Sequence, residues 1–106
     1  MNFFRKKTHI FASFGEKDLS ESPAEIIKML ESLLPIPSGQ ELRISIAENS
    51  DLSMQSLCAL AFFSGQQRDQ GSRIILKAAS AVIENIQFMK ISDYFDDLIV
   101  ENSHGN

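Results

Sequence analysis

The fold of this chain is decided by residues 71–80, which read GSRIILKAAS. Gly71 stands where a helix commonly ends, because glycine accepts the left-handed backbone conformation found at helix C-termini. Three large aliphatic residues follow one another inside Arg73–Ala78, which is typical of a strand covered on both faces. Ser80 is predicted to cap the next helix. This segment passes from helix to buried strand to helix, and such alternation predicts an α/β domain.

The same alternation extends in both directions along the chain. Apolar residues recur at every second position in residues 8–14 and 41–47, and at helical spacing in the helix that follows Ser22. Ser22, Pro23 and Glu25 make a strong helix start, with serine as the cap and proline at the first helical position. The predicted strands are residues 8–14, 41–47, 73–78 and 98–100, and the helices begin at Ser22, Ser53 and Ser80, with a helical turn at Ser92.

The predicted architecture is a single α/β domain with about four main strands in a mostly parallel sheet and helices packed largely on one face. A length of 106 residues suits one hydrophobic core. Residues 1–7 are predicted to form an N-terminal tail or a short antiparallel edge strand. Residues 8–101 form the domain, and residues 102–106 form a C-terminal tail.

Composition narrows the classes of function. The net charge of −4 argues against nucleic acid as the partner, because phosphate binding normally needs a clustered basic face. The longest apolar run, residues 57–63, is too short to span a membrane, and the N-terminus lacks a secretory signal pattern. We therefore expect a cytoplasmic protein. The sequence contains no P-loop or nucleophile elbow, so we expect neither enzyme activity nor a cofactor.

Cys58 is the only cysteine, which excludes an intrachain disulfide and favours a reducing compartment. With His9 and His104 far apart in the sequence, it makes no recognisable zinc site, and no metal site is predicted. Cys58 lies in an apolar stretch of the second helix. We therefore expect it to be a small buried hydrophobic side chain.

With its elements in this order, the sequence resembles the STAS domains, named for sulfate transporters and anti-sigma-factor antagonists, over roughly residues 8–101. The resemblance implies a non-catalytic protein-interaction module, like the cytoplasmic regulators of bacterial signal transduction in that family. Its partner is then an anti-sigma factor or another regulatory protein. The segments that carry the resemblance are Phe14-Gly15-Glu16 with Leu19, similar to the family's G-x-L turn, the strand Leu42–Ala47, the glycine and strand Gln70–Leu76, and the closing segments Ser80–Phe88 and Ile91–Phe95.

The resemblance also places the family's regulatory site. Regulated STAS domains have Asp-Ser-Ser/Thr-Gly at the start of a helix, where a partner kinase phosphorylates the second hydroxyl residue. Ser53, Met54, Gln55 and Ser56 occupy those four positions and depart from the pattern at each one. Gln55 stands at the phosphorylated position, and its amide cannot accept a phosphate, so the usual switch is predicted to be absent. Two interpretations stay open for Ser53 and Ser56: alternative phosphate acceptors, or a helix N-cap and a polar first-turn residue.

The predicted docking surface is the loop at residues 49–53 with the exposed face of the helix that follows, to about residue 63. Adjacent helix residues point about 100° apart, so Phe62 and Phe63 do not both face one core. One of them is expected on the partner surface with Met54 and Leu57, and the alternative is a wide buried face. The residues assigned to the surface are Asn49, Ser50, Asp51, Ser53, Met54, Gln55, Ser56 and Phe63.

A second function from another class also fits the resemblance. Some STAS-like proteins are accessory subunits of lipid-transport ABC complexes, where the domain stabilises the ATPase subunit. That role needs no phosphorylation and is compatible with Gln55. A third function, binding of a nucleotide or a lipid by the domain itself, has no specific support in these residues, and a homodimer stays open.

Overall fold

The structure, a computed structural model, describes residues 1–48 and 52–101. Within these ranges the chain forms five strands, three α-helices and two 3₁₀ turns. The strands are β1 (Asn2–Arg5), β2 (His9–Phe14), β3 (Glu41–Ile46), β4 (Arg73–Ala78) and β5 (Asp97–Val100). The helices are α1 (Pro23–Glu31), α2 (Met54–Asp69) and α3 (Ser80–Phe88), and the 3₁₀ turns are Asp18–Ser20 and Ser92–Tyr94.

The sheet follows chain order from β1 to β5. Strands β2 to β5 are mutually parallel, each joined to the next by a helical crossover, whereas β1 is antiparallel to β2. Only a short connection separates β1 from β2, and it is closed by a 2.8 Å hydrogen bond from the backbone N–H of Lys6 to His9 O. So short a connection permits only an antiparallel pair. Of the two alternatives predicted for residues 1–7, a tail or a short antiparallel edge strand, the structure has the strand at Asn2–Arg5. The predicted four-stranded, mostly parallel sheet is matched only roughly, because the sheet has five strands.

The hydrophobic core lies on one face of the sheet. Every second residue of β2, β3 and β4 is buried, and the residues between them are exposed or half-buried. The prediction that Arg73–Ala78 is covered on both faces is wrong, because Ile75 is only half-buried and the charged ends of Arg73 and Lys77 are exposed. The core-facing residues are Ile10, Ala12, Phe14, Leu42, Ile44, Ile46, Ile74, Leu76 and Ala78.

The helix boundaries follow local chemistry at most ends. Ser22 caps α1, since its hydroxyl accepts a hydrogen bond from the Glu25 N–H at 3.3 Å. Gly71 has a φ of +97°, which confirms the left-handed helix end predicted from the sequence. The prediction for α3 is wrong in one detail. Ser80 is the first helical residue, and Ala79 occupies the N-cap position without a side-chain hydrogen bond.

Helix α2 is central to the helical layer. It packs against α1 on one side and against the 3₁₀ turn at Ser92–Tyr94 on the other. Gly65 permits the second contact, because a Cβ atom there would lie 2.6 Å from Cδ1 of Tyr94. The N-termini of α1 and α2 follow β2 and β3, so both lie at the carboxyl edge of the parallel strands, where α/β domains commonly bind their ligands. Across the described ranges, no helix has the length and apolar character needed to cross a bilayer.

Candidate partner-binding surface

The exposed face of α2 carries no charge over its first fourteen residues. The segment from Met54 to Gln67 contains no acidic or basic side chain. Met54 is 56% exposed and Phe62 is 60% exposed, and Gln55 and Cys58 lie on the same side of the helix. A helix on the surface of a soluble domain normally presents charged and polar residues to water. This face therefore has the composition of an interface core, which is enriched in methionine and aromatic residues and depleted of charge.

Helix α1 extends this surface. Pro23 and Ala24 are exposed and Ile27 is half-buried on the side of α1 that adjoins α2. Together the two helices form a shallow depression with an almost wholly apolar lining. We call it the α1–α2 groove, and its residues are Pro23, Ala24, Ile27, Met54, Gln55, Cys58, Ala59 and Phe62.

The start of α2 is fixed by a chain of hydrogen bonds. Ser53 is the N-cap, and its Oγ accepts from the Ser56 N–H at 3.0 Å. The Ser56 hydroxyl donates to Leu19 O at 2.8 Å, and the two serine oxygens lie 2.9 Å apart. A hydroxyl has one hydrogen, so the Ser53 hydroxyl must be the donor between the serines. This network ties α2 to the turn at Asp18–Ser20.

That turn is held by Asp18. Its Oδ2 accepts from the Gly15 N–H at 2.7 Å and lies 3.0 Å from the terminal ammonium of Met1. Burial acts to raise the pKa of the Asp18 carboxyl, but the Gly15 hydrogen bond and the ammonium group outweigh it. The net result is a pKa below the ordinary value. The segment beside the start of α2 is therefore organised around an ionised carboxylate.

The structure separates the predicted surface residues into three groups. Asn49, Ser50 and Asp51 lie outside the described residues. Ser53, Met54 and Gln55 are exposed, as a docking surface requires. Ser56 is 1% exposed and Phe63 is 2% exposed, so neither side chain is accessible to a partner or to a kinase while the domain is folded.

Three corrections follow for α2. Phe62 takes the place of Phe63 on the surface, because the Phe63 ring belongs to the core. Leu57, which the sequence grouped with Met54, is buried. Cys58 was expected to be buried and is instead exposed, within the groove. No pattern in the sequence marks these orientations, since apolar residues are distributed around the whole circumference of the helix.

In the part of the chain that the structure describes, no three histidine, cysteine or acidic side chains come close enough to hold a metal ion.

Comparisons with family models, with curated proteins and with solved structures gave no match. The resemblance to STAS domains therefore stays a prediction.

Proposed function

We propose that this protein is a non-catalytic interaction module of the STAS type that binds a regulatory protein through the α1–α2 groove. By resemblance, the partner is an anti-sigma factor or a protein of similar regulatory role. The observation that carries the proposal is the uncharged, exposed face of α2, with Met54 and Phe62 both more than half exposed. Water contact with such side chains is unfavourable, and covering them stabilises a complex.

Gln55 bears on how binding is regulated. It is the second residue of α2 and is exposed at the rim of the groove. A phosphate at a helix N-terminus would be stabilised by the free N–H groups and would place about two negative charges at this uncharged interface. Because the glutamine amide cannot be phosphorylated, binding at this groove is constitutive with respect to that modification.

The test compares two phenylalanines that are exposed on different helices. Phe62 lies in the groove, and Phe88 is 78% exposed at the end of α3. Partners are first captured with the tagged full chain in the cells that make it, identified, and purified. Their affinity is then measured by calorimetry for the wild type and for the matched variants Phe62→Ser and Phe88→Ser.

A central aromatic anchor at an interface contributes at least about 2 kcal/mol. We therefore expect Phe62→Ser to weaken binding by roughly 30-fold. Phe88→Ser should leave the affinity within about twofold, and both variants should unfold within about 0.5 kcal/mol of the wild type. Equal affinities for Phe62→Ser and the wild type would show that the groove is not the docking surface. Capture of an ABC-type ATPase subunit instead of a regulatory protein would favour the accessory-subunit function.

A further inference from the structure

Among residues 1–48 and 52–101, nothing covers the face of the sheet opposite the helices. Sheets that are mainly parallel normally have both faces covered, because their strands are apolar on both sides. Here three large apolar side chains from β2, β4 and β5 remain at least partly exposed on the uncovered side. We call this side the open sheet face, and its residues are Asn2, Phe4, His9, Phe11, Ser13, Glu41, Arg43, Ser45, Arg73, Ile75, Lys77, Asp97 and Ile99.

Strand register sets these side chains in two adjacent rows. One row crosses the sheet as Phe4, Phe11, Arg43, Ile75 and Asp97, and the next crosses as Asn2, Ser13, Ser45, Lys77 and Ile99. Asp97 stands at the β5 end of its row and does not line the trough described below. Residues of both rows line a trough with a volume of about 430 Å³. That volume is within the range of small-molecule sites, roughly 300–1,000 Å³.

Phe11, which lines one end of the trough, belongs to an aromatic cluster with Phe4 and His9. The rings of Phe4 and Phe11 stack with centroids 4.9 Å apart, and His9 meets Phe11 edge-on at 4.7 Å. The guanidinium carbon of Arg43 lies 5.5 Å from the Phe11 centroid on the side of β3. Because these side chains hold one another, little side-chain entropy remains to be lost when a ligand binds.

The charged side chains that line the trough are both positive, although the chain as a whole carries −4. Glu41 accepts a hydrogen bond from Nε of Arg43, and among the described residues no acceptor contacts the two Nη groups. Lys77 is only loosely paired, with its Nζ 3.9 Å from Glu101. Both cations therefore keep donors for an anion, and the hydroxyls of Ser13 and Ser45 lie in the row that contains Lys77.

We infer that the open sheet face is a binding site for a small amphiphilic carboxylate. The apolar body of the ligand lies against Phe11, Ile75 and Ile99, and its carboxylate lies between Arg43 and Lys77. A concave trough of this volume suits a small molecule better than a flat bilayer. Single-stranded nucleic acid would need a free aromatic face for stacking, but Phe11 is flanked by Phe4 and Arg43, and the acidic chain repels a polyanion. This site is independent of the α1–α2 groove.

The experiment uses decanoate as the probe, below its micelle concentration, with decanol and decyltrimethylammonium as neutral and cationic counterparts. Chemical-shift changes in the ¹⁵N-labelled full chain locate the ligand and give its Kd. The variants are Arg43→Gln and Lys77→Gln, and the matched control is Lys28→Gln, which removes an exposed lysine from α1 on the other side of the sheet.

We expect saturable decanoate shifts at residues 11, 75 and 77, and weaker binding of both counterparts. Each open-face variant should raise the Kd about three- to fivefold, as removal of one exposed ion pair does, and Lys28→Gln should not change it. The inference is overturned if decanoate and decanol bind equally, or if the shifts cluster in the α1–α2 groove. It is also overturned if only anionic vesicles or an oligonucleotide bind this face. Because Phe62→Ser leaves the trough intact, failure here and failure of the groove proposal are distinguishable.

Discussion

The sharpest prediction concerns two buried serines of α2 that differ in what they bind. Ser56 and Ser64 are both essentially inaccessible, and each donates a hydroxyl hydrogen bond of 2.8 Å to a backbone carbonyl. The acceptor for Ser64 is Leu60 O, one turn earlier in the same helix. The acceptor for Ser56 is Leu19 O, which lies 37 residues away on the turn before α1. Replacing each serine with alanine removes the same atom, so the cavity contribution nearly cancels between the two variants.

The expected magnitudes follow from the acceptors. In Ser56→Ala the Leu19 carbonyl loses its hydroxyl donor in a buried position, which costs about 1–3 kcal/mol, and the better helix propensity of alanine returns about 0.5 kcal/mol. In Ser64→Ala the Leu60 carbonyl keeps the backbone hydrogen bond of the helix. We therefore expect a net loss of about 0.5–2.5 kcal/mol for Ser56→Ala and a change within about 0.5 kcal/mol for Ser64→Ala.

Urea unfolding of both variants measures these differences. Because the variants should share one m-value, the loss in Ser56→Ala should appear as a lower midpoint alone. In thermal unfolding it should lower Tm by roughly 4–8 °C for each kcal/mol. Equal stabilities of the two variants within about 0.3 kcal/mol would refute the reasoning, because the tie between α2 and the turn at Asp18–Ser20 would then contribute nothing.

Three further predictions are independent of this one. Gln55→Glu places an acidic residue in the first turn of α2, which has none, so it should raise the free energy of unfolding in urea titrations by about 0.3–1 kcal/mol. The same variant adds a charge to the groove and should weaken partner binding measured by calorimetry. Because the pKa of Asp18 is lowered in the folded state, its ionised form stabilises the fold above the ordinary carboxyl pKa, and this stability is lost as the pH falls through the lowered value. The difference in free energy of unfolding between the wild type and Asp18→Asn should therefore shrink below about pH 4, which unfolding measurements across pH would show. Gly65→Ala should gain no stability while Tyr94 occupies the space beside it, and should gain about 1 kcal/mol in a Tyr94→Ala background, a difference that a double-mutant cycle measures.

The order of elements was predictable from sequence because the periodic signals are strong. Residues 8–14 and 41–47 carry apolar residues at every second position, and β2 and β3 fall within one residue of those bounds. Ser22 and Gly71 act through contacts inside their own turns, which sequence alone can anticipate. At these two positions the local signal predicts the structure, whereas the cap predicted at Ser80 lies one residue earlier, at Ala79.

The orientation of α2 was not predictable, because its apolar residues leave no polar face to mark the outside. Which of Phe62 and Phe63 is buried depends on how α2 lies against the sheet and α1, and that is a tertiary property. Ser56 is buried because of a carbonyl 37 residues away. The aliphatic run in β4 led to the wrong prediction that both faces of this strand are buried. Whether a helix covers the second face of a sheet is also a tertiary property, which the sequence of one strand does not determine.

The two proposed surfaces should bind their ligands independently of each other. The α1–α2 groove lies on the helical layer and the trough lies on the far side of the sheet, so neither ligand can touch the other. Between them stand alternating side chains of the central strands, such as Ala12 facing the core and Phe11 facing outward. Effects at well-separated sites normally add, so the affinity losses from Phe62→Ser and Arg43→Gln should each appear for one ligand only and be unchanged in the double variant. A loss of decanoate binding on addition of the partner would require a shift of the sheet that both sites sense. Strand β4 is the element placed to carry such a shift, because it contacts α2 and also supplies Ile75 and Lys77 to the trough.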